Sequence, residues 1–299
     1  MDRIGTGENG AQTQDRLRPN PVDPVILPKG YGSNPVNPVH PVQRIDRVLQ
    51  ILSCCPISPV HPVVNPDWPE DLHSIRGVMS MIHLLVSPEG AVLLDTGFPG
   101  DHRRIERKMK TLGLGPRDLR AILLTHGHID HAGSAAWVKE WSGAPIYAHP
   151  LDQPHIDGTH PYTGLAKVTG ALEAAGRAVT SYRRVKIDVP IADGDVLPFW
   201  GGLRVVHLPG HTVGHCGFYS ARHNLLFSGD LWVRFMMRAQ SSPRVFSDDI
   251  RQVPASLRKA RAIGAHWIVP GHYDVANATR LRVQFERLCE ERAQASPVV

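Results

Sequence analysis

Three imidazoles and a carboxylate fall within six residues in Thr125-His126-Gly127-His128-Ile129-Asp130-His131, directly after the apolar run Ala121-Ile122-Leu123-Leu124. Imidazole and carboxylate are the donors that borderline divalent metals such as zinc prefer. In an extended chain, His126 and His128 point to the same side. A turn into helix at Asp130 aims that residue and His131 at a second point nearby. So many desolvated polar groups at one strand end are costly unless something binds them. One isolated histidine would read as a satisfied loop residue; this cluster reads as a metal site.

The elements that must position these groups recur down the chain. Leu203-Arg204-Val205-Val206-His207-Leu208 leads to Pro209-Gly210-His211-Thr212-Val213-Gly214-His215. Leu225-Leu226-Phe227-Ser228 leads to Gly229-Asp230, and His266-Trp267-Ile268-Val269 leads to Pro270-Gly271-His272. Each is a short β-like run, a glycine, then a ligand type. Several strand ends converging on one pole is how a sheet-based enzyme assembles a site.

In this order, the four segments resemble the metallo-β-lactamase-fold superfamily of hydrolases. Ala91-Val92-Leu93-Leu94-Asp95-Thr96-Gly97 is similar to that family's early strand ending in Asp-Thr-Gly, and the resemblance covers roughly residues 72 to 275. It is closest in motif set to the glyoxalase II and lactonase-like dizinc hydrolases. The resemblance implies a four-layer αββα sandwich. It implies that His126, His128 and His211 hold one metal, that Asp130, His131 and His272 hold the other, and that Asp230 bridges them. The metals expected are two Zn2+ ions, with iron or manganese as alternatives. Two such ions hold a hydroxide between them and polarise a carbonyl or phosphoryl oxygen. Asp130 is the expected catalytic residue, orienting that hydroxide. No Gly-x-Ser-x-Gly elbow offers a competing nucleophile.

The expected reaction is hydrolysis of a small ester, lactone or thioester. A conventional glyoxalase II carries a substantial helical domain after the last ligand, whereas 27 of the 299 residues follow His272. A carboxylate at position 230 argues against a β-lactam specialist. Val233 stands where the best-known acyl-homoserine lactonases place a tyrosine. His128 is intact, which argues against the flavodiiron branch. One competing reading is a mononuclear iron persulfide dioxygenase using His126, His211 and Asp230. A second is a phosphodiesterase or nuclease of the same fold.

Other residues support the site less directly. Asp95 either accepts a hydrogen bond from a ligand histidine or caps a turn. His215, four residues after His211, is expected to support the ligands or pack rather than ligate. His207 reads as a sheet histidine, and His149, His155 and His160 as exposed loop residues. Two stretches, 150–184 and the one that follows Asp230, are expected to set specificity. The second, Leu231-Trp232-Val233-Arg234-Phe235-Met236-Met237-Arg238, mixes large apolar groups with two guanidiniums. Arg234 or Arg238 could hold a substrate carboxylate or phosphate; the alternative is apolar core with solvated arginines.

Size and charge bound these readings. The 299 residues suit one large domain, or one plus an appendage. No apolar run reaches the roughly 18–20 residues that span a bilayer. The N-terminus lacks an apolar stretch after its basic residues, so no secretory signal is expected. Cys54 and Cys55 are adjacent while Cys216 and Cys289 stand alone, which is no disulfide framework. A cytoplasmic protein acting on a small molecule is expected, with no membrane or nucleic-acid partner and an oligomeric state the sequence leaves open. Residues 1–70 hold 6 Lys/Arg and 7 Asp/Glu, and the rest 27 and 21, so the net charge of +5 lies on the later part. It includes His102-Arg103-Arg104-Ile105-Glu106-Arg107-Lys108, which reads as a solvated helix face.

Residues 1–68 repeat Asn-Pro-Val, Asp-Pro-Val and His-Pro-Val units. Proline every third residue disfavours helix and sheet and suits an extended, disordered leader. A docking arm and translated repetitive DNA are the other readings. The hydrolase domain is assigned to 69–299. Strand-like runs are expected at 78–86, 91–95, 121–124, 145–148, 185–189, 203–208, 216–220, 224–228 and 266–269. Helices are expected near 101–112, 132–142, 163–177, 249–263 and 277–292, with Gly113 and Gly264 at C-caps.

Overall fold

The computed structural model describes residues 68–273 and 277–294. The Pro-rich leader lies outside the described residues.

One sheet has six strands in sequence order: β1 (Leu72–Arg76), β2 (Met81–Ser87), β3 (Gly90–Leu94), β4 (Leu119–Leu123), β5 (Ile146–Ala148) and β6 (Val189–Pro190). The second comprises β7 (Val196–Leu197), β8 (Leu203–His207), β9 (Cys216–Ser220), β10 (Leu225–Gly229) and β13 (Trp267–Pro270), in the order β13-β10-β9-β8-β7. A separate hairpin pairs β11 (Trp232–Phe235) with β12 (Arg238–Ser241). The helices are α1 (His102–Thr111), α2 (Ile129–Ala132), α3 (Ala135–Ser142), α4 (Gln153–Asp157), α5 (Lys167–Val179), α6 (Val253–Ala262) and α7 (Ala278–Gln294).

Alternation along the strands builds the four layers. Ile82, Leu84, Leu93, Ile122 and Leu124 share a core with Ile105, Met109 and Val138 of α1 and α3. Their neighbours Met81, Leu85, Val92, Leu94, Ala121 and Leu123 face the other way, sharing a core with Val205, Phe218 and Phe227 of the second sheet. Leu257 of α6 and Leu281 and Phe285 of α7 close the outer side of that sheet. The period of two sends successive side chains to opposite faces, so each sheet buries both. This is the αββα sandwich expected.

Strand direction gathers the candidate ligands. β3 and β4 run parallel, with Leu94 opposite Leu123, so Asp95 and Thr125 leave the sheet together. β10 and β13 also run parallel, ending at Gly229 and Pro270. β9 is antiparallel to both β8 and β10, which returns the 208–215 loop to the pole where β10 ends. Cys216 N donates to Thr125 O at 2.8 Å and Met81 N to Gly271 O at 2.9 Å, tying the two sheets at that rim.

Several element boundaries differ from the sequence reading. β1 was not anticipated, and β2 starts at Met81 because Gly77 and Ser80 close a turn before it. The expected helix at 132–142 is two helices, broken where Pro99 packs against Gly133; a Cβ there would meet Pro99 Cδ at 2.4 Å. The expected strand at 185–189 shrinks to Val189–Pro190, an edge where proline lacks a donor. Gly113 and Gly264 do end helices, with φ of 74° and 69°. The basic run of α1 is solvated as expected, with Arg103 and Arg104 exposed and only Ile105 and Met109 buried. Among the described residues, no helix is long and apolar enough to cross a membrane.

Candidate metal centre

His126 follows β4, and His128 keeps an extended backbone as the N-cap of α2, with φ −63° and ψ 151°. Their side chains therefore face one way, as strand geometry requires, while α2 carries Asp130 and His131 to a second point. His211 joins the first pair: its Nε2 lies 2.9 Å from His128 Nδ1 and 3.1 Å from His126 Nε2. At the second point, His272 Nε2 lies 3.2 Å from His131 Nε2 and 3.1 Å from Asp130 Oδ2. Asp230 stands between the groups, with Oδ2 3.1 Å from His272 Nε2 and 3.6 Å from His211 Nε2, and Oδ1 3.4 Å from His131 Nε2.

These spacings suit metal ligation. Donors about 2.0–2.1 Å from a zinc ion at tetrahedral angles stand about 3.3–3.4 Å apart. The donor contacts here straddle that value. A neutral imidazole has one donor and one acceptor, so what each inward nitrogen presents to the site is set by the bond at the other ring nitrogen. Thr125 Oγ1 donates to Asp95 at 2.8 Å, so it accepts from His126 Nδ1 at 3.0 Å and leaves the Nε2 lone pair facing the site. His131 Nδ1 bonds Asp95 Oδ2 at 2.8 Å, His272 Nδ1 bonds Met79 O at 2.9 Å, and His211 Nδ1 bonds Ser242 Oγ. Outer partners of this kind fix the tautomer of a ligating histidine. Asp230 Oδ1 is buried without a hydrogen-bond donor.

Charge divides the cluster into two halves. Burial, then neighbouring imidazoles, pushes His126 and His211 well below the ordinary histidine range. Burial also lowers His128. In the other half burial is outweighed. Asp230, Asp130 and Asp95 raise His131 well above its ordinary value, and Asp230 with Asp130 raises His272 to about 10. Against the same burial, these imidazoles hold Asp130 and Asp230 well below the carboxylate range. Carboxylates packed this closely demand positive charge, from protons or from a cation.

The family model for the metallo-beta-lactamase superfamily matches residues 75–272, from β1 to the last of these ligands. The chain belongs to the metallo-beta-lactamase superfamily. Among its curated relatives, the Bacillus subtilis protein described as "Probable metallo-hydrolase YflN" is 26% identical over 208 residues, 64% of this chain and 78% of that protein. A hydroxyacylglutathione hydrolase of Cereibacter sphaeroides is 31% identical over 163 residues, 54% of this chain and 51% of its own length. An uncharacterised Aquifex aeolicus protein is 36% identical over 111 residues, 37% of this chain and 47% of that protein. The chain thus spans only about half the length of some relatives it matches. The metallo-beta-lactamase family protein TTHA1429 of Thermus thermophilus superposes with a TM-score of 0.60 at 21% identity, over 75% of this chain and 80% of that one. TTHA1623, solved in a di-iron-bound form, has a TM-score of 0.53 at 28% identity, over 75% of this chain and 98% of its own.

In this superfamily member the supporting residues are placed as follows. Asp95 has a left-handed backbone, φ 59°, and accepts from Thr125 N at 2.8 Å besides Thr125 Oγ1 and His131. It joins the end of β3 to Thr125 after β4 and touches a ligand-type histidine, rather than capping a local turn. His215 sits behind the cluster: Nδ1 donates to Leu208 O at 3.0 Å and Nε2 accepts from Asp230 N at 2.9 Å. Burial lowers it to about 4, which keeps that acceptor free. His207 lies on β8, donating from Nε2 to Val213 O at 2.9 Å.

Two expectations need correction. His155 is not an exposed loop residue; it is fully buried on α4, and His160 is mostly buried beside it, both bonded to Asp248 at 2.9 Å. α4 and α5 fold the 153–177 segment over the outer side of His128, which removes both rings from solvent. Arg234 is buried rather than solvated: its Nε donates to Gln284 on α7 at 2.9 Å and its N–H donates to His272 O at 2.8 Å. Arg238 is exposed at the start of β12, and Phe235, Met236 and Met237 are exposed rather than core.

The sequence reading missed several supports. Asp152 is buried and accepts from Gly127 N at 2.7 Å, Thr212 Oγ1 at 2.8 Å and Gly214 N at 2.8 Å, joining the two ligand loops. Its position just past the end of β5, like Asp95 past β3, was the available signal. Glu173 accepts from Ile129 N at 2.9 Å, and Ser80 Oγ donates to Asp130 O. Nothing local in the sequence marks Glu173, Ser80 or Ser242.

Proposed function

We propose that this metal-dependent hydrolase of the metallo-beta-lactamase superfamily holds two zinc ions and cleaves a small ester, lactone or thioester. The observation that carries the reading is the complete donor set, with Asp230 Oδ2 within 3.6 Å of histidines from both halves. A hydroxyacylglutathione hydrolase among the relatives supports a thioester or ester carbonyl as the reacting group. His126, His128 and His211 hold one ion, Asp130, His131 and His272 the other, with Asp230 shared. When bound, the pair supplies Lewis acidity and a water that ionises near neutral pH.

The chain's own residues do the rest. The site opens at Asp130 and His272, whose side chains are 17% and 27% exposed, whereas His131 is fully buried. Substrate therefore approaches on that side. Asp130, at the open edge of the site, orients the attacking water and takes its proton. Asp95 and Ser242 hold His131 and His211 in one orientation, so little reorganisation accompanies the reaction. The substrate is a small molecule met in a reducing cytoplasm; the buried, unpaired Cys216 and Cys289 support that compartment.

A second reading is an iron-dependent oxygenase; the di-iron-bound form of TTHA1623 favours iron as the metal, though not the single iron of that reading. Metal analysis of the purified chain, with oxygen uptake and a panel of esters, lactones and thioesters, separates the two. About two zinc per chain with carbonyl hydrolysis is expected. Iron with oxygen consumption and no hydrolysis would sink the proposal.

A further inference from the structure

A second histidine–carboxylate cluster lies beside the first and shares none of its residues. His155 Nε2 is 2.9 Å from Asp248 Oδ2, and His160 Nε2 is 2.9 Å from Asp248 Oδ1. The two rings stack with centroids 3.7 Å apart and planes 19° from parallel, so both Nε2 atoms aim at one carboxylate. The three donor atoms all lie within 4.8 Å of one another. His155 is fully buried, and the side chains of His160 and Asp248 are 13% and 8% exposed.

Hydrogen-bond direction constrains what lies between them. Tyr162 OH is 2.6 Å from Glu173 Oε2 and 3.1 Å from His155 Nδ1. An ionised carboxylate only accepts, so Tyr162 donates to Glu173 and its oxygen accepts from His155 Nδ1. A neutral His155 then presents its Nε2 lone pair to Asp248, another acceptor. Two acceptors at hydrogen-bond distance need a cation between them. A second proton on His155 is one answer, but it places an imidazolium face to face with the His160 ring. A single metal ion answers for both rings and the carboxylate at once.

We propose that His155, His160 and Asp248 form a third metal site for a divalent transition ion such as zinc. Two imidazoles and a carboxylate are a donor set of the zinc and iron type, and the exposed edge leaves room for water as a further ligand. The Glu173–Tyr162 pair behind His155 is the outer support that ligating histidines take. Val213 N, donating to Asp248 Oδ2 at 3.1 Å, holds the carboxylate in place two residues after His211. The ion pins the 153–162 segment to the 248 loop, directly behind His128, whose ring meets that of His155 at 5.3 Å. Its role is structural: it keeps the outer wall of the first site in place.

The test is a count by difference. The full-length chain, stripped with a chelator and titrated with zinc against a chromophoric competitor, is expected to bind one equivalent more than His160→Gln. Equal counts overturn the proposal, whatever that number is, so the result does not depend on how many ions the first site takes. Crystals of the unaltered chain grown with zinc decide the question without a variant. Anomalous scattering at the zinc edge should give a peak bounded by His155, His160 and Asp248. A peak at the first site with none there would refute the third site.

Discussion

Replacing Gly271 with alanine should disable the metal centre while leaving the fold intact. A Cβ at this position would lie 2.2 Å from Asp230 Oδ1 and 2.8 Å from His131 Cε1. Gly271 is not in the left-handed region, so alanine is not excluded by backbone conformation. Its backbone cannot retreat, because its N–H bonds Gly229 O at 2.9 Å and its carbonyl takes Met81 N at 2.9 Å. Asp230 must therefore move by roughly 1 Å to restore ordinary contact, more than the roughly 0.5 Å tolerance of a working site. Crowding of this kind costs about 1–3 kcal/mol, offset by about 0.4–1 kcal/mol from a stiffer unfolded chain. Net destabilisation of the metal-free protein should be about 1–2 kcal/mol. Zinc affinity should fall at least 10–100-fold, about 1.4–2.7 kcal/mol, as for disturbed ligand supports. Competition titration with zinc reads the affinity, and denaturant unfolding with chelator reads the stability. Wild-type affinity in Gly271→Ala would refute the shared role given to Asp230.

Other substitutions separate the remaining roles. Asp130→Asn should lower turnover by about 10²–10⁴-fold, as loss of a general base does, with unchanged circular dichroism; near-normal turnover removes Asp130 from the mechanism. Asp152→Ala leaves two buried amides and a hydroxyl without their acceptor, so unfolding by urea should show a loss of at least about 3 kcal/mol. Burial lowers His83 from 6.5 to about 3, so between those values the unfolded chain binds the extra proton. Stability is therefore full above pH 6.5 and drains as pH falls, by about 2–3 kcal/mol at pH 4.5; His83→Gln should flatten that part of the metal-free protein's pH–stability curve, and an unchanged slope would contradict the assignment. Arg234→Ala should cost about 1–3 kcal/mol through its lost contact with Gln284 and change KM equally for anionic and neutral substrates; selective loss on anionic substrates would return Arg234 to the binding site.

The ligand cluster was legible because each member ends a strand at a glycine or turn, and strand ends are what sequence periodicity locates best. His126, His128, Asp130, His131, His211, Asp230 and His272 come together as read, because parallel pairing of β3 with β4 and of β10 with β13 puts those ends on one pole. The β11–β12 hairpin was not legible. Its turn is Met236-Met237, with φ of 47° and 65°, where Asn-Gly would have signalled a two-residue left-handed turn. His155 was misread because its burial depends on Tyr162, Glu173 and Asp248, partners 7, 18 and 93 residues away that no local pattern connects to it. The same holds for Ser242 behind His211, which is 31 residues distant. Local signals located the clustered histidines and carboxylates; the groups that orient them come from tertiary packing.

In the proposed reaction a metal-activated water attacks a carbonyl. The most direct measurement is turnover of the ester, lactone and thioester panel by the zinc-loaded full-length chain in 18O-labelled water, with oxygen monitored. Hydrolysis of at least one member is expected, with kcat/KM of about 10⁴ M⁻¹s⁻¹ or more, one 18O in the acid product and no oxygen uptake. No turnover across the panel, or product formed only with iron and consumption of oxygen, would contradict the proposal.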